Sequence, residues 1–191
     1  MSDDRSFAFE IRYWLDKSDV IVGIDPGWDE FARSNDAPGL ESRRVVGRNL
    51  LTYIHGDATR MYVRTLIQSA RLLRAPLVRS YRCDTPSMRR FMEMRLTVED
   101  GGVLCWEHRL VRAEPLAYRV AFVPAGTPGV AWRPLVRCSV CNRVKGASGW
   151  SEPDRLPETA AADTPVRVIY GVCPDCLAAG PGRSRRPLGG G

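Results

Sequence analysis

The chain is almost without lysine: Lys17 and Lys145 are the only two among its 28 basic residues. Histidine is as scarce, with His55 and His108 alone. Neither histidine sits in a nucleophile or base motif, and no glycine loop suited to cradling a phosphate is visible. Kinase, cyclase, phosphodiesterase and receiver motifs are also missing, so the expectation is that the protein is not an enzyme. No apolar run approaches the roughly 18–20 residues of a membrane span, and no membrane association is expected. The opening residues, Met1-Ser2-Asp3-Asp4-Arg5, are acidic and lack the apolar core of a signal peptide. A cytoplasmic location is therefore expected. No repeat with a period of roughly 20–50 residues is present, which excludes solenoids and propellers.

What the chain does have is arginine. Against 22 acids the 28 bases leave a formal net charge of +6. Attraction to phosphates or another acidic partner is one reading. The other is an arginine-biased composition spread over solvated faces, and the interleaved acids favour it. Six cysteines in a reducing compartment read as metal ligands or free thiols before disulfides.

Three regions and a tail can be separated. Residues 1–113 alternate strand-like and helix-like patterns. Residues 114–135 are rich in Pro, Ala and Gly and read as a linker. Residues 136–178 hold two cysteine pairs. The tail, residues 179–191, carries Arg183, Arg185 and Arg186 with nothing to bury, and is expected to be disordered.

In the first region, Val20 to Ile24 is a short β-branched strand followed by the turn Pro26-Gly27. Trp28 to Arg33 reads as a short helix. Asp57 is a suitable cap for the longest helix, which runs to Leu73 before Pro76 stops it. Its apolar side comprises Met61, Leu66, Ala70 and Leu73, with Tyr62 and Ile67. Leu77–Cys83, Arg90–Val98 and Val103–Val111 are strand candidates, and Asp100-Gly101-Gly102 is a hairpin signal.

That order resembles a PAS sensory domain over roughly residues 10–113. The residues that carry the resemblance are Ile24 through Ala32, then Val46-Gly47-Arg48-Asn49-Leu50, then Tyr81 through Pro86 with Arg89-Arg90. It implies an α+β fold: a five-stranded antiparallel sheet with helices on one face. It also implies sensing through a pocket between sheet and helices, or self-association and protein contact. Flavin photochemistry is disfavoured, because Leu50 stands where the flavin-binding subset has a reactive cysteine. Haem is the next option. His55, just before the long helix, is the better candidate ligand, although a polar loop residue is its bland reading. His108 reads as a packed strand histidine.

Cys83 and Cys105 belong to no motif, and a small buried hydrophobe is the commoner role for a free cysteine. Arg82, Asp84, Arg89 and Arg90 form a charged cluster. It either contacts an anionic ligand or forms an ion-pair network.

Cys138-Ser139-Val140-Cys141 and Cys173-Pro174-Asp175-Cys176 are two C-x-x-C pairs with 31 residues between them. Two intervening residues let a tight turn aim both sulfurs at one ion, and two such turns complete a thiolate tetrahedron. Cys138, Cys141, Cys173 and Cys176 are thus expected to bind one structural zinc in a small zinc-ribbon-like module. Iron suits the same ligands, and a thiol/disulfide pair is a further alternative. C-type haem attachment needs histidine after the second cysteine, where Asn142 and Leu177 stand. The segment also resembles the cysteine-containing C-terminal extension of some bacterial sensory proteins, through Cys138, Cys141, Gly149-Trp150, Glu152, Tyr170-Gly171 and Cys173 through Cys176. The combined expectation is a non-catalytic signalling protein, a sensor or interaction domain coupled to a structural zinc module. Its alternative is a small DNA- or RNA-binding regulator.

Overall fold

A computed structural model describes residues 11–34, 37–126, 134–160 and 165–180. The chain opens with β1 (Ile11–Leu15) and β2 (Ile21–Ile24), then two short helices, α1 (Trp28–Ser34) and α2 (Ser42–Val45). The long helix α3 (Asp57–Leu73) leads to β3 (Leu77–Arg82), β4 (Met88–Val98) and β5 (Leu104–Pro115). These five strands form one antiparallel sheet in the order β2-β1-β5-β4-β3. The architecture is therefore mixed α+β, with a five-stranded antiparallel sheet. β1 was not among the strands expected from periodicity. Its five residues put an aromatic on each face, Tyr13 inward and Trp14 outward, which blurs the alternation.

Alternation fixes which side of the sheet is dry. Tyr13, Leu15, Leu77, Met94, Leu96, Leu104 and Trp106 point to one face, where Leu66, Ile67 and Ala70 of α3 pack on them. Burying a side chain such as Leu66 contributes about 1.5–3 kcal/mol. The expected apolar side of α3 needs correction. Met61 and Leu73 are 68% and 62% exposed, and the buried stripe is Leu66, Ile67 and Ala70, with Tyr62 and Val63 beside it. At 3.6 residues per turn Met61 lies roughly 140° from Leu66, on the far side of the helix, whereas Leu73 shares the side of Leu66 but is the last helical residue. Asp57 is likewise not the cap. Gly56 holds that position at φ 81°, while the Asp57 carboxylate accepts from Arg60 at 2.8 Å. A side chain at Gly56 would press on Tyr170 Cβ, 3.1 Å from where its own Cβ would lie. At the other end Arg74 takes the left-handed conformation, φ 49°, and closes the helix before Pro76.

The polypeptide continues as β6 (Phe122–Pro124), β7 (Leu135–Cys138), β8 (Val144–Gly146) and β9 (Gly149–Ser151), then α4 (Pro157–Ala160), β10 (Val166–Gly171) and α5 (Pro174–Ala178). A second sheet has the order β6-β10-β7-β8-β9, with β10 parallel to both its neighbours. The segment read as a linker thus begins inside β5 and contributes an edge strand, β6. Backbone pairing with Val166–Val168 gives those residues a partner that Pro/Gly content does not reveal. Of the basic tail, only Ala179 and Gly180 lie among the described residues.

The two sheets are tied together. The Arg82 amide at the β3 edge donates to Val140 O at 2.8 Å, and Thr59 and Ser139 hydroxyls share a hydrogen bond of 2.5 Å. Tyr62 and Tyr81 pack against both the main core and the cysteine cluster. Among the described residues, no helix is long and apolar enough to cross a membrane.

Candidate metal centre

The first cysteine pair sits on a turn between β7 and β8. The Cys138 amide donates to Arg143 O at 2.8 Å and the Asn142 amide to Cys138 O at 2.9 Å. The turn requires a left-handed residue, and Asn142 supplies it at φ 58°. The second pair closes β10 onto α5. Pro174 occupies the first helical turn, where its missing N–H costs nothing, and the Leu177 amide donates to Cys173 O at 3.0 Å.

These two turns bring the four sulfurs within 4.8 Å of one another, without a disulfide. A zinc–sulfur bond of about 2.3 Å implies a tetrahedral sulfur–sulfur edge of about 3.8 Å. Cys141 and Cys173 sulfurs are 3.7 Å apart. The donor set therefore fits a tetrahedral thiolate-binding metal ion. Cys138, Cys173 and Cys176 are buried, and Cys141 is half-buried. Val140, Val172 and Trp150 pack around them.

The electrostatics point the same way. Burial pushes the Cys173 thiol up to about 11. Hydrogen bonding from Cys141 and Cys176 lowers Cys138, and as the donor in that exchange Cys176 is pushed up. Without a cation the cluster thus keeps protons on part of its sulfurs, whereas a divalent ion lets all four become thiolates. A set of four protein thiolates leaves no coordination position for water, so such an ion would stabilise structure rather than perform catalysis.

Arg143 was not singled out by spacing, yet it touches the centre. Its Nε donates to Cys141 Sγ at 3.4 Å, and its Nη2 lies 3.8 Å from Cys173 Sγ and 2.6 Å from Asp175 Oδ2. A cation directly after a C-x-x-C-Asn turn was the available signal.

The arginine cluster is brought together as an ion-pair network. Arg82 is buried, bonding Asp84 at 2.5 Å and Glu152 at 2.6 Å. Burial works against its charge, but the two carboxylates outweigh that and raise its pKa. Arg89 bonds Asp154 at 2.9 Å and also meets Glu114 and Glu152 at 3.3 Å. The Arg90 amide donates to Asp84 at 3.0 Å, and its guanidinium lies over the Phe31 ring. Arg82 and Arg89 are thus committed to carboxylates across the seam between the two sheets.

His55 is exposed in the loop before α3. His108 is buried in the main core instead. Its ring stacks on Trp106 and Tyr13 at 5.8 and 5.6 Å, and its Nδ1 shares a 2.8 Å hydrogen bond with Tyr81 OH. Burial lowers its pKa to about 3, so it is neutral. Tyr13 and Trp106 belong to the core that α3 covers. Cys105 is buried, which raises its thiol to about 12, and Cys83 is exposed.

Comparison with protein-family models and with curated proteins returns no match.

Proposed function

We propose that the protein is a non-catalytic signalling or regulatory protein, in which a PAS-like sensor or interaction domain is coupled to a structural zinc module. The observation that carries the reading is the docking of the four-thiol centre against a five-stranded antiparallel sheet that has its helices on one face. That sheet is what the PAS resemblance implies, and the Arg82 amide and Tyr81 join its β3 edge to the cysteine turns. Cys138, Cys141, Cys173 and Cys176 would hold the zinc. When bound, zinc supplies folding energy to a segment too small to build a large core of its own. Output is then a contact, with a protein partner or a second copy, made by a surface whose shape depends on the module being in place. The nucleic-acid reading gains no comparable support, because Arg82, Arg89 and Arg143 face carboxylates or thiols, and Arg183, Arg185 and Arg186 lie outside the described residues.

The absorption spectrum and metal content of the purified full chain test this. A colourless protein with one zinc per chain is expected. A stoichiometric Soret or flavin band would replace the reading with a cofactor sensor, and iron in the thiolate site would replace the zinc.

A further inference from the structure

We propose that Arg143 is a positioning residue of the metal centre. Tethered by Asp175, its guanidinium holds the Cys141 and Cys173 sulfurs and sets how readily the bound metal and its thiolates react. The inference rests on the metal-centre reading above.

Three observations converge on this residue. The first is reach. One guanidinium touches a sulfur from each C-x-x-C turn, Cys141 at 3.4 Å and Cys173 at 3.8 Å, and so bridges the two halves of the site. The second is fixation at both ends. The Arg143 carbonyl accepts from the Cys138 amide at 2.8 Å, and its Nη2 donates to Asp175 at 2.6 Å, within the second turn. An arginine held in this way loses little further freedom by contacting the sulfurs. The third is location. Cys141 is the one ligand that is not buried, and Arg143 sits against it.

The chemistry follows from charge. Four thiolates and one divalent cation leave an excess of negative charge, concentrated on sulfur. N–H donors on two of those sulfurs draw off part of it and fix the lone pairs that bind the metal. Outer partners of this kind tune a site strongly, with losses of roughly 10–100-fold in metal affinity when they are removed. Removing the guanidinium leaves Cys141 both less restrained and more open to attack.

The test loads full-length wild type, Arg143→Ala, Arg143→Lys and Asp175→Asn with zinc. It then follows metal transfer to a chromogenic chelator, and alkylation by iodoacetamide mapped by mass spectrometry. Arg143→Ala should release zinc roughly tenfold or more faster than wild type, with Cys141 alkylated first. Arg143→Lys, which keeps the charge but loses the fork, and Asp175→Asn, which loses the tether, should fall between. Either of these carries the test if the alanine variant fails to fold. Release and alkylation rates within twofold of wild type in all variants would overturn the proposal while leaving the metal centre intact. A wild-type protein that takes up no zinc would instead overturn the metal-centre reading beneath it.

Discussion

Replacing Arg82 by methionine removes the charge at the seam between the two sheets while keeping most of the side-chain volume. The Arg82 side chain is 6% exposed and that of Asp84 is 3% exposed, so neither charge is well solvated. Removing one member of a buried pair costs about 3–5 kcal/mol, because the remaining charge stays buried without compensation. Here the loss is softened. Asp84 still accepts from the Arg90 amide, and Glu152 retains Arg89 at 3.3 Å. The lower end applies, about 3 kcal/mol, or roughly 6–12 °C in Tm for a chain of this size. The assay is urea unfolding at a fixed excess of zinc, so that metal linkage does not enter the comparison. Pairing with Glu152→Gln completes a double-mutant cycle, which should give a coupling of about 0.5–3 kcal/mol across 70 residues of sequence. A loss below about 1 kcal/mol together with zero coupling would refute the reasoning. It would mean that the seam is open to water and that the two sheets are not joined by this network.

Other outcomes follow from the same structure. His108 has a native pKa near 3, below its unfolded value of about 6.5. The unfolded chain therefore binds one more proton in that window, and His108 lowers stability as pH falls from about 6.5 toward 3, by up to about 1.4 kcal/mol per pH unit. His108→Gln should flatten that part of a stability-versus-pH curve, and an unchanged slope would place the imidazole in water. Leu66→Ala should cost about 2–5 kcal/mol, since Leu66 is 1% exposed, whereas Leu73→Gln on the same helix should stay within about 0.5 kcal/mol. Equal losses at the two positions would contradict the burial assigned to them along α3. Chelation at neutral pH should lower the melting temperature of the whole chain in one transition. Two separate transitions, with only the smaller one responding, would show that the sheets unfold independently.

The cysteine pairs and most elements were legible in the sequence because the signals there are local. Asp57–Leu73 is marked by helical periodicity and by Pro76, and the β4–β5 hairpin by Asp100-Gly101-Gly102. The four cysteines announce themselves by spacing, and the fold brings all four together. What was hidden is what depends on distant partners. Arg82 meets Glu152 and Arg89 meets Asp154 only after both sheets have formed, and no periodicity encodes that meeting. β6 was read as connector because its three residues gain strand identity only from β10. Leu73 shares the side of Leu66 on a helical wheel, yet at the last position of α3 it stays exposed, which periodicity does not reveal.

The central claim is that Cys138, Cys141, Cys173 and Cys176 form one closed thiolate site. X-ray absorption at the zinc edge of the zinc-loaded protein tests it most directly. The account predicts one zinc per chain with four sulfur neighbours at about 2.3 Å and no lighter neighbour in the first shell. Nitrogen or oxygen in that shell, or a folded protein that binds no zinc and leaves all four thiols free to react, would contradict it.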